Sequence, residues 1–313
     1  MNKKTFLLAT RRLVINLTAL LVLSALAVSC SDVSDETEPG NPLPEGKYPV
    51  EFSSATYNLE VGTRAVTEDN TWKGGEEVAV SFGTQGVKKY TVTADGTLTA
   101  TDGVTPFSWT STGESQTVTA WYNPKSSPAT QPSTFTVQAN QNTATSYANS
   151  DLIMACQTVK FADASKQLTF RHLMAKVTIN LTANESINNL SAAIVKLTNV
   201  NIISGTITAT TSSISVTPAA PDNRPITPLR TALGSDNKTA TYQALLPPQN
   251  VSGLEFIKIT VSGIPYTYTP KTGDGLFETG RGYTYNIIVN KKDGLIVTIP
   301  GDNEWTSEGD EEI

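Results

Sequence analysis

The bond between Arg64 and Ala65 is the first feature of this sequence that could support specific chemistry. Arg64 is the one basic residue between Lys47 and Lys73, and polar residues surround it. Exposed polar joints of this kind are preferred sites of proteolytic cutting. We therefore predict that a protease specific for arginine cuts between Arg64 and Ala65. The alternative interpretation is an ordinary surface arginine.

A second candidate for covalent chemistry is Cys30, at the end of the stretch LAVSC. Basic residues precede the apolar run Leu13–Val28, which is typical of a signal peptide and too short for a convincing membrane span. The small residues before Cys30 resemble a bacterial lipobox, so we expect cleavage there and acylation with chains such as palmitate. Two or more acyl chains would hold the protein firmly to a membrane.

Groups for catalysis or metal binding are otherwise scarce. His172 is the only histidine, and we interpret it as structural because one imidazole cannot build a His-based metal site. With Cys30 acylated, Cys156 has no disulfide partner, and it is interpreted as a small buried side chain. No nucleophile elbow, dinucleotide fingerprint or P-loop occurs in the sequence. We expect no enzymatic activity, no cofactor and no metal.

Four aromatic residues keep a binding function open as an alternative, namely a glycan-binding surface lipoprotein. Exposed aromatic rings could stack on sugars, and the candidates are Trp72, Trp109, Trp121 and Tyr122. Within VTAWY, however, Trp121 alternates with Val118 and Ala120, which favours a core position. A net charge of −6 and a pI of about 5.0 do not favour a nucleic-acid partner.

The elements that must position these residues are strands. β-Branched and small polar residues dominate after residue 30, with 38% hydrophobic and 17% charged residues overall. Short alternating runs separated by polar turns are typical of β-sandwiches. Examples are Glu77–Phe82, Gln116–Tyr122 and Ser133–Gln138. The longest run, Lys166–Thr182, changes parity near Arg171–His172, which predicts a bulge or short turn.

Five stretches resemble the fimbrillins, which are lipoprotein pilins and adhesins of anaerobic Gram-negative bacteria. They occur in the family's order: the lipobox at Cys30, TRAVTEDNTWKGGEEVAV (Thr63–Val80), DLIMA with LTFRHLMAKVTINL (Asp151–Leu181), YQALLPPQ (Tyr242–Gln249), and TGRGYTYNIIVNKKDGLIVT (Thr279–Thr298). The resemblance implies an all-β fold with two tandem transthyretin-like Greek-key β-sandwich domains.

The resemblance also implies a mechanism of assembly. Fimbrillin precursors travel as lipoproteins to the outer membrane, where an arginine-specific protease removes the first strand. A strand from another pilin subunit then fills the groove by donor-strand exchange. Arg64 matches the cleavage position, so Tyr48–Val61 is expected to be the removable strand. Such a protein would have other pilin subunits as partners, and a host or glycan ligand if it acts as an adhesin.

We therefore predict four parts of the chain. They are a signal peptide at 1–30, a tether and removable strand at 31–64, an N-terminal sandwich at 65–183 and a C-terminal sandwich at 184–313. The boundary falls at the polar stretch ANESINN. Near the C-terminus, Gly294–Pro300 is either a donor strand or the last strand of the second sandwich.

Overall fold

The computed structural model describes residues 41–52, 54–57, 72–125, 127, 129–187 and 189–300. Within these ranges nearly all regular secondary structure is β-strand, which confirms the predicted all-β class. No helix of the described residues is long and apolar enough to cross a membrane. The elements are β1 (Ser54–Tyr57), β2 (Glu76–Phe82), β3 (Val87–Val92), β4 (Leu98–Ala100), β5 (Ser115–Tyr122), α1 (Ala144–Ala148), β6 (Ile153–Lys160), β7 (Gln167–His172), β8 (Ala175–Ala183), β9 (Ile194–Leu197), β10 (Ile207–Ala209), β11 (Ile214–Val216), β12 (Leu229–Leu233), β13 (Thr239–Leu246), β14 (Gln249–Asn250), β15 (Ile257–Val261), β16 (Ile264–Tyr268), β17 (Leu276–Phe277), β18 (Gly282–Asn290) and β19 (Gly294–Thr298).

Turn chemistry in the sequence determines the two-residue loop between β15 and β16. β15 and β16 pair as far as Val261 and Ile264, so only Ser262 and Gly263 form the loop. Both have positive φ, 51° at Ser262 and 80° at Gly263. Two-residue hairpin loops with positive φ at both positions match the twist of the flanking strands. The sequence therefore sets the register of this hairpin locally.

The first sheet has seven strands in the order β1-β7-β6-β5-β2-β3-β4. One face covers a core that we call the first core, which is rich in aromatic rings. Phe107 stacks between two of them, with centroids 5.3 Å from Phe82 and 5.7 Å from Tyr90. Residues of this core include Val78, Phe82, Phe107, Val118 and Phe170.

The second half of the chain forms a sandwich of its own. A five-stranded sheet, β12-β13-β8-β18-β19, and a three-stranded sheet, β16-β15-β9, share a second core. The short pairs β10–β11 and β14–β17 complete this half. Residues of the second core include Val177, Ile179, Tyr242, Ile259 and Tyr285.

The two cores are in contact through the first sheet. Ala120 and Tyr122 of β5 belong to the first core, whereas Trp121 between them belongs to the second core. Successive side chains of a strand point to opposite faces, so β5 is covered on both sides. The prediction of a strand at Ser133–Gln138 is wrong, because this segment forms only an isolated bridge between Thr136 and Ile203. It joins the second half, since Val137 N donates to Ile202 O at 2.9 Å.

β8 belongs to the five-stranded sheet of the second half. The sequence predicts an N-terminal sandwich that extends to residue 183 and would include this strand. Its ladder partners are β13 and β18, both from the second half of the chain. The parity change near Arg171–His172 therefore marks the passage from β7 in one sheet to β8 in another. The domain bounds themselves stay a prediction, and the pairing suggests a division between β7 and β8.

Candidate functional site

β1 forms an edge of the first sheet, at the place where the sequence predicts the removable strand. It pairs in parallel with β7, from Ser54 opposite Gln167 to Tyr57 opposite Phe170. Among the strands that the structure describes, β7 is its one neighbour in the sheet. A strand in this position can leave without separating any other two strands.

The residues before β1 cross the first core. Val50 N donates to Phe107 O at 2.7 Å, and Trp109 N donates to Tyr48 O at 2.9 Å. Val50 and Phe52 are both buried, on the same parity, and the Phe52 ring lies 5.4 Å from that of Tyr90. We call residues 41–57 the leader segment. It contributes backbone pairing and two apolar side chains to the first half.

The chain returns to the first core at Trp72. The Trp72 side chain is buried, with its ring centroid 5.4 Å from Phe170 and 5.7 Å from Tyr122. Val50 and Phe52 before the stretch that carries Arg64, and Trp72 after it, are thus all packed in the first core. Arg64, Ala65 and Cys30 themselves lie outside the described residues, so their predicted roles stay predictions.

The aromatic residues considered for sugar stacking are part of the core. Trp72, Trp109, Trp121 and Tyr122 are all buried. A buried ring has no free face for a ligand, so the interpretation of these four as a stacking surface is wrong. Trp109 illustrates the reason: its ring packs edge-on against Phe82 at 5.2 Å.

His172 forms a buried pair with Asp151. Its Nδ1 lies 3.0 Å from both carboxylate oxygens, and both side chains are almost fully buried. The Asp151 main-chain oxygen accepts from Asn123 Nδ2 at 2.5 Å. This network ties the end of β7 to the loop before β6. Within the described ranges, no group of three or more His, Cys, Asp or Glu side chains could hold a metal.

Cys156 differs from its predicted environment. Cys156 is half-buried, and its Sγ accepts a hydrogen bond from Thr119 Oγ1 at 3.4 Å. Cys156 lines a cavity next to β7. Sequence reasoning missed this cavity because its walls come from segments far apart in the chain.

β19 is the last strand of the five-stranded sheet. It pairs antiparallel with β18, from Asn286 opposite Thr298 to Asn290 opposite Gly294. Leu295 and Val297 pack against the second core, whereas Ile296 is half-exposed. Gly294–Pro300 is predicted from the sequence to be either a donor strand or the last strand of the second sandwich. The pairing of β19 with β18 corresponds to the second interpretation.

Comparisons with known proteins agree with this architecture. The sequence pattern of the family described as fimbrillin-like matches residues 63–302. A candidate cell adhesion protein from Bacteroides uniformis has a similar structure, with a TM-score of 0.60, 22% identity, and coverage of 82% of this chain and 99% of that one. A candidate cell adhesion protein from Bacteroides ovatus gives a TM-score of 0.62, 16% identity, and coverage of 83% and 99%. No curated protein sequence matches the chain.

Proposed function

The chain belongs to the fimbrillin-like family, and we propose that it is a non-enzymatic pilus subunit or adhesin assembled at the cell surface. In this proposal an acylated Cys30 anchors the precursor in the outer membrane. Cleavage after Arg64 then frees the leader segment, and a strand of another subunit replaces it. The observation that carries the proposal is the edge position of β1 directly before the stretch with Arg64.

The leader segment has the properties of a replaceable strand. Its backbone pairs along β7 and at isolated bridges, which another extended chain could reproduce. Val50 and Phe52 fill positions of the first core, so an incoming strand would need apolar side chains at the same spacing. Backbone pairing supplies affinity in such exchange, and alternating side chains supply register.

Loss of the leader segment without replacement would be costly. The edge of β7 would lose its parallel partner, and the first core would lose Val50 and Phe52. An unpaired sheet edge beside an apolar slot is a template for another strand. Cleavage therefore converts a closed monomer into a subunit that requires a partner. Before cleavage, the same contacts keep the precursor from assembling too early.

The test uses Arg64→Lys as a matched variant. Arg64→Lys keeps the positive charge but is not a substrate for an arginine-specific protease, whereas trypsin cuts after either residue. We expect the natural chain to be cut at residue 64 and to form oligomers with both proteases. Arg64→Lys should be cut and assemble only with trypsin, as followed by mass and by size-exclusion chromatography.

Two results would contradict the proposal. The first is assembled material at the cell surface whose subunits still begin at Cys30. The second is assembly of Arg64→Lys after treatment with the arginine-specific protease, without a cut at residue 64.

A further inference from the structure

A polar cavity of about 150 Å³ lies between the two halves of the molecule. It opens where β6 and β7 separate, because these strands pair only at Ile153–His172 and Met154–Arg171. The turn of the β10–β11 hairpin forms the opposite wall. One wall of the cavity is therefore the gap between β6 and β7 in the first sheet, and the other wall is a loop from the second half.

The side chain of Gln157 holds the split open. Its Oε1 accepts from Thr169 N at 2.9 Å, and its Nε2 donates to Gln167 O. Buried or partly buried backbone groups must find partners, and here a side-chain amide supplies them in place of a neighbouring strand. The backbone groups of β7 that face the gap therefore have hydrogen-bond partners, and no additional strand is needed to pair with them.

Hydrogen bonds within the turn of the hairpin define its shape. Thr210 N donates to Ser213 O at 2.7 Å, and Ser213 N donates to Thr210 Oγ1 at 3.1 Å. At the base of the hairpin, a Cβ on Gly205 would collide with Thr217 O. Glycine at 205 therefore permits the close approach that places the turn against β6.

The lining has one charge, and that charge is positive. Arg171 is exposed and makes no ion pair or side-chain hydrogen bond within the described part of the chain. None of the lining residues is acidic. The remaining polar groups are the amide of Gln157 and the hydroxyls of Thr169 and residues 210–213.

We propose that this cavity binds a carboxylate-bearing sugar. The guanidinium of Arg171 matches a carboxylate, since it can donate two parallel hydrogen bonds to the two oxygens. Neutral hydroxyls suit the hydroxyl groups of a sugar, because each of these groups both donates and accepts. The cavity of about 150 Å³ is half open to solvent, so the carboxylate and one edge of a sugar ring can enter it while the rest of the ring stays outside.

Binding at this site does not require strand exchange, although Thr169 of the lining lies opposite Thr56 of β1 in the parallel ladder. Its walls come from β6, β7 and the hairpin, none of which belongs to the leader segment. The uncut monomer should therefore bind, so failure of this proposal and failure of the assembly proposal can be told apart. The site would give an adhesin the ligand class that it recognises.

The experiment is calorimetric titration of the 313-residue chain with sodium glucuronate, with glucose and sodium acetate as matched probes. Glucuronate should bind, and glucose and acetate should bind at least about tenfold more weakly. Arg171→Gln should weaken glucuronate binding by about 10- to 100-fold, the usual range for a lost hydrogen bond to a charged group. Lys258→Gln removes the same charge from an exposed strand position outside the cavity, and it should bind as the natural chain does.

Gly205→Ala provides a second variant, because it displaces the hairpin and leaves Arg171 in place. It should also weaken glucuronate binding, with an unchanged far-ultraviolet spectrum. Equal affinity of the natural chain and Arg171→Gln overturns the proposal, as does the absence of saturable binding. If acetate binds as tightly as glucuronate, the cavity recognises a carboxylate alone and the assigned ligand class is wrong.

Discussion

Phe52→Ala should destabilise the uncut protein and leave the assembled protein unaffected, because Phe52 belongs to the leader segment. Only 2% of the Phe52 surface is exposed, and its ring lies 5.4 Å from that of Tyr90 in an edge-on contact. Replacing a buried phenylalanine by alanine removes its transfer free energy and leaves a cavity, which together cost about 3–5 kcal/mol. Part of that cost is the lost aromatic pair, about 0.5–1.5 kcal/mol.

The assay is urea denaturation followed by tryptophan fluorescence, which reports on the first core through Trp72 and Trp109 and on the second core through Trp121. The uncut Phe52→Ala protein should unfold at a lower urea concentration than the natural chain. Once cut and assembled, the two proteins should have the same stability, since the mutated residue has left. Phe82→Ala is the matched control, because Phe82 is fully buried in the same core but lies in β2.

Phe82→Ala should lower the free energy of unfolding of both forms. If Phe52→Ala destabilises the assembled protein as much as the uncut one, the leader segment has remained in place and the reasoning is refuted. If Phe52→Ala leaves the uncut protein unchanged, Phe52 does not contribute to the first core, and the placement of residues 41–52 is wrong.

Three further predictions concern the anchor, pH and the contact between the two halves. Cys30→Ala should move the protein from the detergent phase to the aqueous phase in phase partitioning without lowering its stability; unchanged partitioning would rule out acylation at this residue. Burial, together with the charges of Glu76 and Asp151, raises the pKa of Tyr122 to about 12. The folded protein therefore retains this proton at a pH where the unfolded chain loses it, so stability should fall above about pH 10. Tyr122→Phe should reduce that fall by at most about 1.4 kcal/mol per pH unit in urea titrations, and an equal slope in both proteins would contradict the assignment. Trp121→Ala should destabilise the first sheet and the second core together, and two calorimetric transitions of which only one moves would show that they unfold independently.

Local patterns in the sequence predicted the central strands well. The predicted runs Glu77–Phe82 and Gln116–Tyr122 correspond to β2 and β5 within one residue at one end. Alternation and β-branched residues act over a few positions, so they can be read without knowing the partners. Ser133–Gln138 was wrong as a strand of the first half, because its bridge partner Ile203 lies far along the chain.

The candidate site depends on distant segments, which local patterns do not encode. The parallel ladder of β1 joins Ser54 to Gln167, and the cavity beside β7 joins Arg171 to a turn at residues 210–213. The change of parity at Arg171–His172 did predict an irregularity there. A change of parity exchanges the faces of a strand, and either a bulge or a move to another sheet produces it. Only the ladder partners of β8 distinguish the two.

If strand exchange occurs as proposed, topology favours β1 as the exchanged strand over β8. In each half the first strand pairs in parallel with a strand near the end of that half, β1 with β7 and β8 with β18. β8 is also paired along its other side with β13, and nearly all of its side chains are buried. Removing β8 would therefore divide the five-stranded sheet and open the second core. Removing β1 breaks one short ladder at an edge. A strand that is to be replaced by a partner's strand must have one neighbour and be linked to the fold at one end by a cleavable segment. Among the described strands β1 has one neighbour, and the proposed cleavage after Arg64 would supply the second condition.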